Sequence, residues 1–317
     1  MDVASLRKRH ARAVLTLERC RLCPRGCGVN RRNGETGFCG AGISLRVAAV
    51  SVHHGEEPPI SGVRGSGTVF FSHCNMKCIF CQNYPISQLG IGERMSTEEL
   101  GERLLGLERK GAHNVNFVTP TPHVPHLIDA VTYSIEKGLT IPVVYNTNGY
   151  DSLEGLAALD GIVDIYLPDM KYRSADLAEI ASGTPDYALH NERAIAAMVR
   201  QVGQLEIGDD GIAVRGVLIR HLVLPGRVDE TEKVLTFIRD AYGPGMPVSL
   251  MGQYFPAHEA PDFSENGRNR APAGASLPQF HRKLSAREYD RAVEITIRLG
   301  LDNVYIQDGP EEAAVSM

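Results

Sequence analysis

The stretch "HCNMKCIFCQNY", His73 to Tyr84, decides how the rest of the chain is read. It sets Cys74, Cys78 and Cys81 at a C-x3-C-x2-C spacing. Structural zinc sites close with four ligands, usually in two separated pairs. A [4Fe-4S] cluster takes one thiolate per iron. Three thiolates packed this closely suit one compact cluster and leave one of its irons open to a ligand that is not protein.

Working outward, the chain has 317 residues and seven cysteines. Cys20, Cys23, Cys27 and Cys39 precede the central three, and none follows Cys81. An odd number of clustered thiols points to metal ligation rather than a disulfide framework. The net charge of −5 gives no basic field for nucleic acid or for an anionic membrane. No apolar run approaches the roughly 20 residues of a membrane span, and the N-terminus lacks an apolar signal core. The expectation is a cytoplasmic protein with no nucleic-acid and no membrane partner. The basic segment 7–21, "RKRHARAVLTLERCR", reads as the solvated face of a short helix.

Downstream, apolar strand-like runs at 67–72, 114–119, 141–147, 162–169, 214–224 and 246–252 alternate with helical segments. The helices read as 96–111, 124–138, 151–159, 173–182, 190–206 and 228–242. Ser96 and Glu99 form a capping box, and Gly111 and Gly138 mark stops. Six strands alternating with helices predict βαβ units and a parallel sheet. Right-handed crossovers can curl them into a partial barrel. A flat doubly wound sheet is the competitor, which periodicity leaves open. Residues 253–283 read as a long loop. Ser285 and Glu288 open a helix to about 299, 303–308 is a last strand, and 309–317 is a frayed tail. The segments expected are a Cys-rich module at 1–60, the barrel at 61–255 and an extension at 256–317.

In parallel α/β folds ligands bind beyond the carboxyl ends of the strands. Every strand here ends in unusual residues: the cysteine loop, "TPTPH" (119–123), "NTNG" (146–149), "PDMK" (168–171), "LPG" (224–226) after Arg220 and His221, and "GQYFP" (252–256). Together they predict the rim of one site. His123 and His126, spaced H-x2-H, read as polar packing. "GVRGSG" (62–67) is no dinucleotide fingerprint, because it precedes a strand rather than following one.

The cysteine motif, with Phe80 before its last member, resembles the signature of radical S-adenosylmethionine enzymes. From Glu56, "EEPPISGVRGSGTVFFSHCNMKCIFCQN" resembles the relatives of pyruvate formate-lyase activating enzyme. The resemblance implies an α/β partial (β/α)6 TIM-like barrel with a small N-terminal Cys-rich metal-binding module. It implies a catalytic [4Fe-4S] cluster on Cys74, Cys78 and Cys81, whose open iron is chelated by S-adenosylmethionine. Reductive cleavage then yields a 5′-deoxyadenosyl radical that abstracts hydrogen, an oxidoreductase chemistry in which the protein orients and shields. An electron donor such as flavodoxin or ferredoxin is the implied partner. The substrate is a glycyl-radical protein, making the chain an activase, or else a peptide or small molecule. Rivals from other classes are a non-catalytic iron–sulfur carrier and a zinc-binding regulator.

Residue by residue, Asp169 and Lys171 match that family's Asp-x-Lys pair near cofactor and substrate, and are the implied catalytic residues. "NTNG" resembles "DTNG", which implies Asn146, Thr147 and Asn148 as cofactor contacts, with Asn146 in place of an acid that helps hold a monovalent cation. "RHLVLPG" implies Arg220 near the methionyl carboxylate. The family's Gly-Gly-Glu stretch is absent, and Thr119 and Thr121 offer hydroxyls in its place. Gln253 or Tyr254 falls where the family has a histidine-bearing loop. The N-terminal C-x2-C-x3-C-x11-C set suits a closed site of its own. A structural zinc, a rubredoxin-like iron and an auxiliary [4Fe-4S] cluster all remain open there.

Overall fold

The computed structural model describes residues 2–262 and 279–307. The chain forms two compact units. The first comprises Met1–Met76, Asn83–Pro168 and His190–Val217, and the second Lys77–Gln82, Asp169–Leu189 and Leu218–Met317.

The first unit is built on an eight-stranded sheet. Its strands are β1 (Arg46–His53), β2 (Ser66–Phe71), β3 (Glu93–Arg94), β4 (Val115–Val118), β5 (Val143–Thr147), β6 (Ile165–Pro168), β7 (Glu206–Ile207) and β8 (Ala213–Val217). They lie in the order β3-β1-β2-β4-β5-β6-β8-β7. β2, β4, β5, β6 and β8 are parallel, and β1, β3 and β7 add antiparallel edges. The parallel strands follow sequence order without reversal, so this sheet lacks the switch point that defines a doubly wound one.

The second unit holds the parallel strands β9 (Ile219–Leu222), β10 (Val248–Met251) and β11 (Val304–Ile306), ordered β11-β10-β9. The mixed α/β fold with sequentially ordered parallel strands that the sequence predicts is the one found. Two details differ. The run 214–224 is not one strand: it breaks at Leu218, β8 pairing with β6 and β9 with β10. β1 was not anticipated. Its alternate positions are half-buried or exposed, and the apolar run in "RVAAVSVH" is short, Val47 to Val50.

The helices are α1 (Val3–Leu15), α2 (Pro58–Ser61), α3 (Tyr84–Ser87), α4 (Thr97–Arg109), α5 (Val124–Glu136), α6 (Leu153–Leu159), α7 (Ala175–Ser182), α8 (Tyr187–Val202), α9 (Val228–Tyr242) and α10 (Ala286–Arg298). Their ends follow local chemistry. Ser96 caps α4 by accepting the Glu99 N–H at 3.0 Å, and the reciprocal capping box of Ser285 and Glu288 opens α10. α1 is not wholly solvated: Leu6 and Ala13 are buried, and Arg7 pairs with Glu136 of α5. Most of the 253–283 loop and the 309–317 tail lie outside the described residues. Among the described residues no helix is long and apolar enough to cross a membrane.

Register fixes which residues share a face of the first sheet. Thr68, Asn116, Val144 and Ile165 are aligned partners, so their side chains point the same way. Phe117, Tyr145 and Tyr166 take the opposite face, where Tyr166 donates to Gln201 of α8 at 2.5 Å. The face bearing Asn116 is thus the one turned away from α8. Both Oδ1 and Nδ2 of Asn116 are buried without a partner among the described residues. In the second unit Ser249 Oγ is likewise unpartnered, and Ser249 is aligned with Arg220.

Candidate active site

The cysteine loop leaves β2 through His73, whose φ of +74° is rare for a non-glycine residue. Its N–H donates to Ile86 O at 2.9 Å, and its ring lies against Gly90, where a Cβ would come within 2.7 Å of it. This clamp sets the direction of Cys74. Cys74 Sγ accepts the Met76 N–H at 3.4 Å and Asn148 Nδ2–H at 3.3 Å. The same Asn148 amide donates to Asn75 Oδ1 at 2.8 Å, and Asn75 Nδ2 donates to Tyr150 O. Asn148 of "NTNG" is therefore tied to the first cysteine. N–H donors aimed at sulfur favour the thiolate that metal ligation requires.

Cys78 and Cys81 belong to the second unit. There the Ile79 N–H donates to Ala181 O at 3.0 Å, and Ser182 Oγ, at the end of α7, donates to Cys78 Sγ at 3.0 Å. Phe80 packs between Tyr254 and Phe280, with ring centres 5.7 and 5.5 Å away. Burial pushes the Cys78 thiol up, and the Lys171 cation and the Ser182 hydroxyl oppose that shift. Within each unit a donor is aimed at a cysteine sulfur of the motif, Asn148 at Cys74 in the first and Ser182 at Cys78 in the second, and thiols so supported are the soft donors that suit an iron–sulfur cluster.

Asp169 sits directly beyond β6 and bridges in parallel to Arg220 of β9. Its carboxylate is 8% exposed and takes Lys171 Nζ at 2.6 Å on Oδ2, with Arg220 Nη2 at 2.8 Å and Nε at 3.0 Å on Oδ1. Burial would raise the Asp169 carboxyl, but Arg220 and Lys171 outweigh it and hold it low. Burial would lower the Lys171 ammonium, and Asp169 followed by Cys78 holds it raised. Two cations around one carboxylate leave the group with a net positive charge. Of the expected residues in this unit, Asp169, Lys171, Arg220 and Cys78 are thus brought together.

The other expected residues divide. Asn146 is buried and donates to Glu56 Oε2 at 3.3 Å, so a carboxylate from a distant segment stands beside the amide that replaces the family's acid. Thr119 takes φ +57°, a strained choice for a β-branched residue, with its N–H on Asn146 O. Thr121 and Thr147 are elsewhere: their hydroxyls donate to the buried Asp151 at 2.7 and 2.6 Å, and Tyr145 joins them at 2.9 Å. Gln253 is exposed; its carbonyl accepts from Gln82 Nε2, and Tyr254 donates to Phe280 O. His123 and His126 are packing residues. Each ring pairs through Nε2 with a backbone carbonyl, Ser72 O and Ile43 O, and burial holds both neutral, His126 at about 4.

Three supporting groups have partners that the local sequence does not announce. His221 is buried between Met170 O and Thr231, with its pKa lowered by burial to about 4. Tyr187 donates to Asp169 O at 2.9 Å and accepts the Lys171 N–H. Glu230 of α9, 1% exposed, accepts the backbone N–H of Arg173 and of Ser174 and the Ser174 hydroxyl. Together they fix the backbone on both sides of Lys171.

Comparison with known proteins gives the family and the fold. The Radical SAM superfamily model matches residues 68–238, more than half of the chain. The chain is 32% identical over 296 residues to the Methanocaldococcus jannaschii protein MJ0674, covering 90% of this chain and 76% of that one. Among solved structures, the FeFe-hydrogenase maturase HydG from Carboxydothermus hydrogenoformans aligns over 77% of this chain and 54% of its own, with a TM-score of 0.51 at 14% identity. That likeness shows the fold alone. Native anSMEcpe with bound AdoMet aligns over 79% of this chain and 62% of its own, with a TM-score of 0.48 at 14% identity. The chain thus spans under two thirds of both solved proteins. By its family match over more than half of its length, the chain belongs to the radical SAM superfamily, whose enzymes carry a [4Fe-4S] cluster and use S-adenosylmethionine.

Proposed function

We propose that this protein holds the catalytic cluster on Cys74, Cys78 and Cys81 and acts as an activase that abstracts hydrogen from a glycine of a partner protein. The observation that carries the reading is the Lys171 ammonium, held 2.6 Å from Asp169 and acting on the Cys78 thiol. It joins the cysteine loop to Asp169 and Lys171, which resemble the Asp-x-Lys pair of the activating-enzyme relatives. Cluster and S-adenosylmethionine, when bound, supply the deoxyadenosyl radical.

The remaining tasks fall to the chain. Arg220 and Lys171 offer cations to the anionic end of the cofactor, and Asp169 fixes both by accepting from each. Ser182, Met76 and Asn148 direct donors at the ligating sulfurs. In the first unit Asn116 presents buried polar atoms with no protein partner among the described residues, as groups meeting a polar ligand do. Strained Thr119 marks the end of β4 as part of the binding rim.

The test follows the abstracted atom. Reduced enzyme is mixed with S-adenosylmethionine and extract from cells grown on deuterated glycine. Deuterium in the 5′-deoxyadenosine released supports the activase reading. Release without deuterium, or deuterium only when a small-molecule fraction is supplied, points to the peptide or small-molecule alternatives. An iron-loaded protein that releases no 5′-deoxyadenosine at all would be an electron or cluster carrier.

A further inference from the structure

The N-terminal cysteine segment reaches the Cys74 end of the cysteine loop through Arg25, and both lie in the first unit. Arg25 stands between Cys23 and Cys27 in the chain. The four N-terminal cysteines line one small cavity together with Arg25 and Asn75. Backbone bonds set the local shape. Cys20 N–H donates to Val29 O at 3.0 Å, and Gly28 N–H donates to Cys20 O at 3.1 Å. Inside that loop Gly26 N–H returns to Cys23 O at 3.1 Å, with a φ of +49° that glycine takes readily. Arg25 is thus presented from a tight turn rather than from a free strand of chain.

Its guanidinium is gripped from more than one side. The guanidinium carbon lies 3.7 Å from the centre of the Phe38 ring and 5.5 Å from that of Tyr150, both within reach of a cation–π contact. Nε donates to Asn75 O at 3.2 Å. Asn75 follows Cys74 directly and is 1% exposed. Its Nδ2 donates to Tyr150 O at 2.5 Å, so Arg25 touches both partners of that bond. The Asn75 Oδ1 accepts Asn148 Nδ2–H at 2.8 Å, and the same Asn148 amide donates to Cys74 Sγ at 3.3 Å. An unbroken series of contacts therefore runs from Arg25 through Asn75 and Asn148 to the first sulfur of the motif. The shape of the side chain matters here: a planar guanidinium stacks and donates at once, which a lysine ammonium does not.

We propose that Arg25 is a positioning residue of the cysteine loop, which by holding Asn75 keeps the Asn148 amide and the Met76 N–H aimed at the Cys74 sulfur. The role rests on the reading that Cys74 ligates the cluster. Hydrogen bonds to ligating sulfurs tune the potential of an iron–sulfur cluster. Donors on sulfur favour its reduced, more negative state, so their loss lowers the potential.

The test compares wild type, Arg25→Met and Arg25→Lys as full chains, anaerobically reconstituted with iron and sulfide. All three are expected to hold the same iron, because no ligand is changed. Hydrogen exchange is read at the Met76 amide, which points at Cys74 Sγ from 3.4 Å. It is expected to quicken about ten-fold or more in both variants, the worth of one hydrogen bond to a charged group. The midpoint potential of the cluster is expected to fall in both. Wild-type exchange or a wild-type potential in Arg25→Met would overturn the proposal. Arg25→Lys behaving as wild type would overturn it too, since a charge alone would then suffice, and so would loss of the iron, which a residue needed only for folding would cause. If the wild type itself takes up no iron, the cluster reading fails, and exchange at Met76 in the unloaded chain still decides whether Arg25 holds the loop.

Discussion

Asp169 shows how much one side chain organises. It is the anion between Lys171 and Arg220, so Asp169→Asn leaves two buried cations facing each other. Breaking such a pair costs about 3–5 kcal/mol, which a urea titration would resolve. The pH dependence has a definite sign. Asp169 is held below its ordinary value, so its contribution is fully present above about pH 4 and fades as pH falls through the lower folded value. The Asn variant is expected to lose that acid-side decline. An unchanged profile would mean that the carboxylate is stabilised no better folded than unfolded.

At the scale of elements, the junctions decide most. Glu230 on α9 gathers Arg173, Ser174 and Lys233, which locks the segment that carries Lys171. Glu230→Gln removes the charge that strengthens these bonds. Faster hydrogen exchange at Tyr172–Ser174 and a lower Tm are expected; unchanged exchange would show that α9 does not hold this segment. The Glu230 carboxyl is also held low, so its contribution fades as pH falls below about 4. Gly216 in β8, with φ +112°, lies so near β7 that a Cβ would sit 2.2 Å from Gln204 O. Gly216→Ala is therefore expected to cost about 1–3 kcal/mol, measured by thermal unfolding against wild type.

These junctions also show where the sequence stops being legible. The helix caps at Ser96 and Ser285 and the strand–helix alternation are local, and they read correctly. The split of 214–224 at Leu218 is not local: an unbroken apolar run cannot say that its halves pair with different strands. β1 escaped because a half-buried strand with only a short apolar run carries little periodic signal. In the site, the cysteine spacing is compact and legible. Ser182 on Cys78, Glu56 on Asn146 and Glu230 on Ser174 join residues far apart in sequence, and nothing in their neighbourhoods announces them. Thr121 and Thr147 illustrate the converse. A hydroxyl at a strand end shows no sign of the face it takes, and Asp151 claims both.

Taken whole, the molecule assigns its cysteines by position along the chain. Four precede β1 and line a cavity with a buried arginine, and three follow β2 in the motif of the superfamily. The two groups should respond independently to mutation. Variants of the N-terminal four are expected to keep the iron held by Cys74, Cys78 and Cys81. Iron analysis of these variants would show coupling if it existed. The most direct measurement is 5′-deoxyadenosine released from S-adenosylmethionine by anaerobically reconstituted, dithionite-reduced protein, in wild type and in Cys78→Ala. Release by the wild type and background levels in the variant are expected. Equal release from both, or none from a wild type with its iron intact, would contradict the assignment of Cys78 to a catalytic cluster.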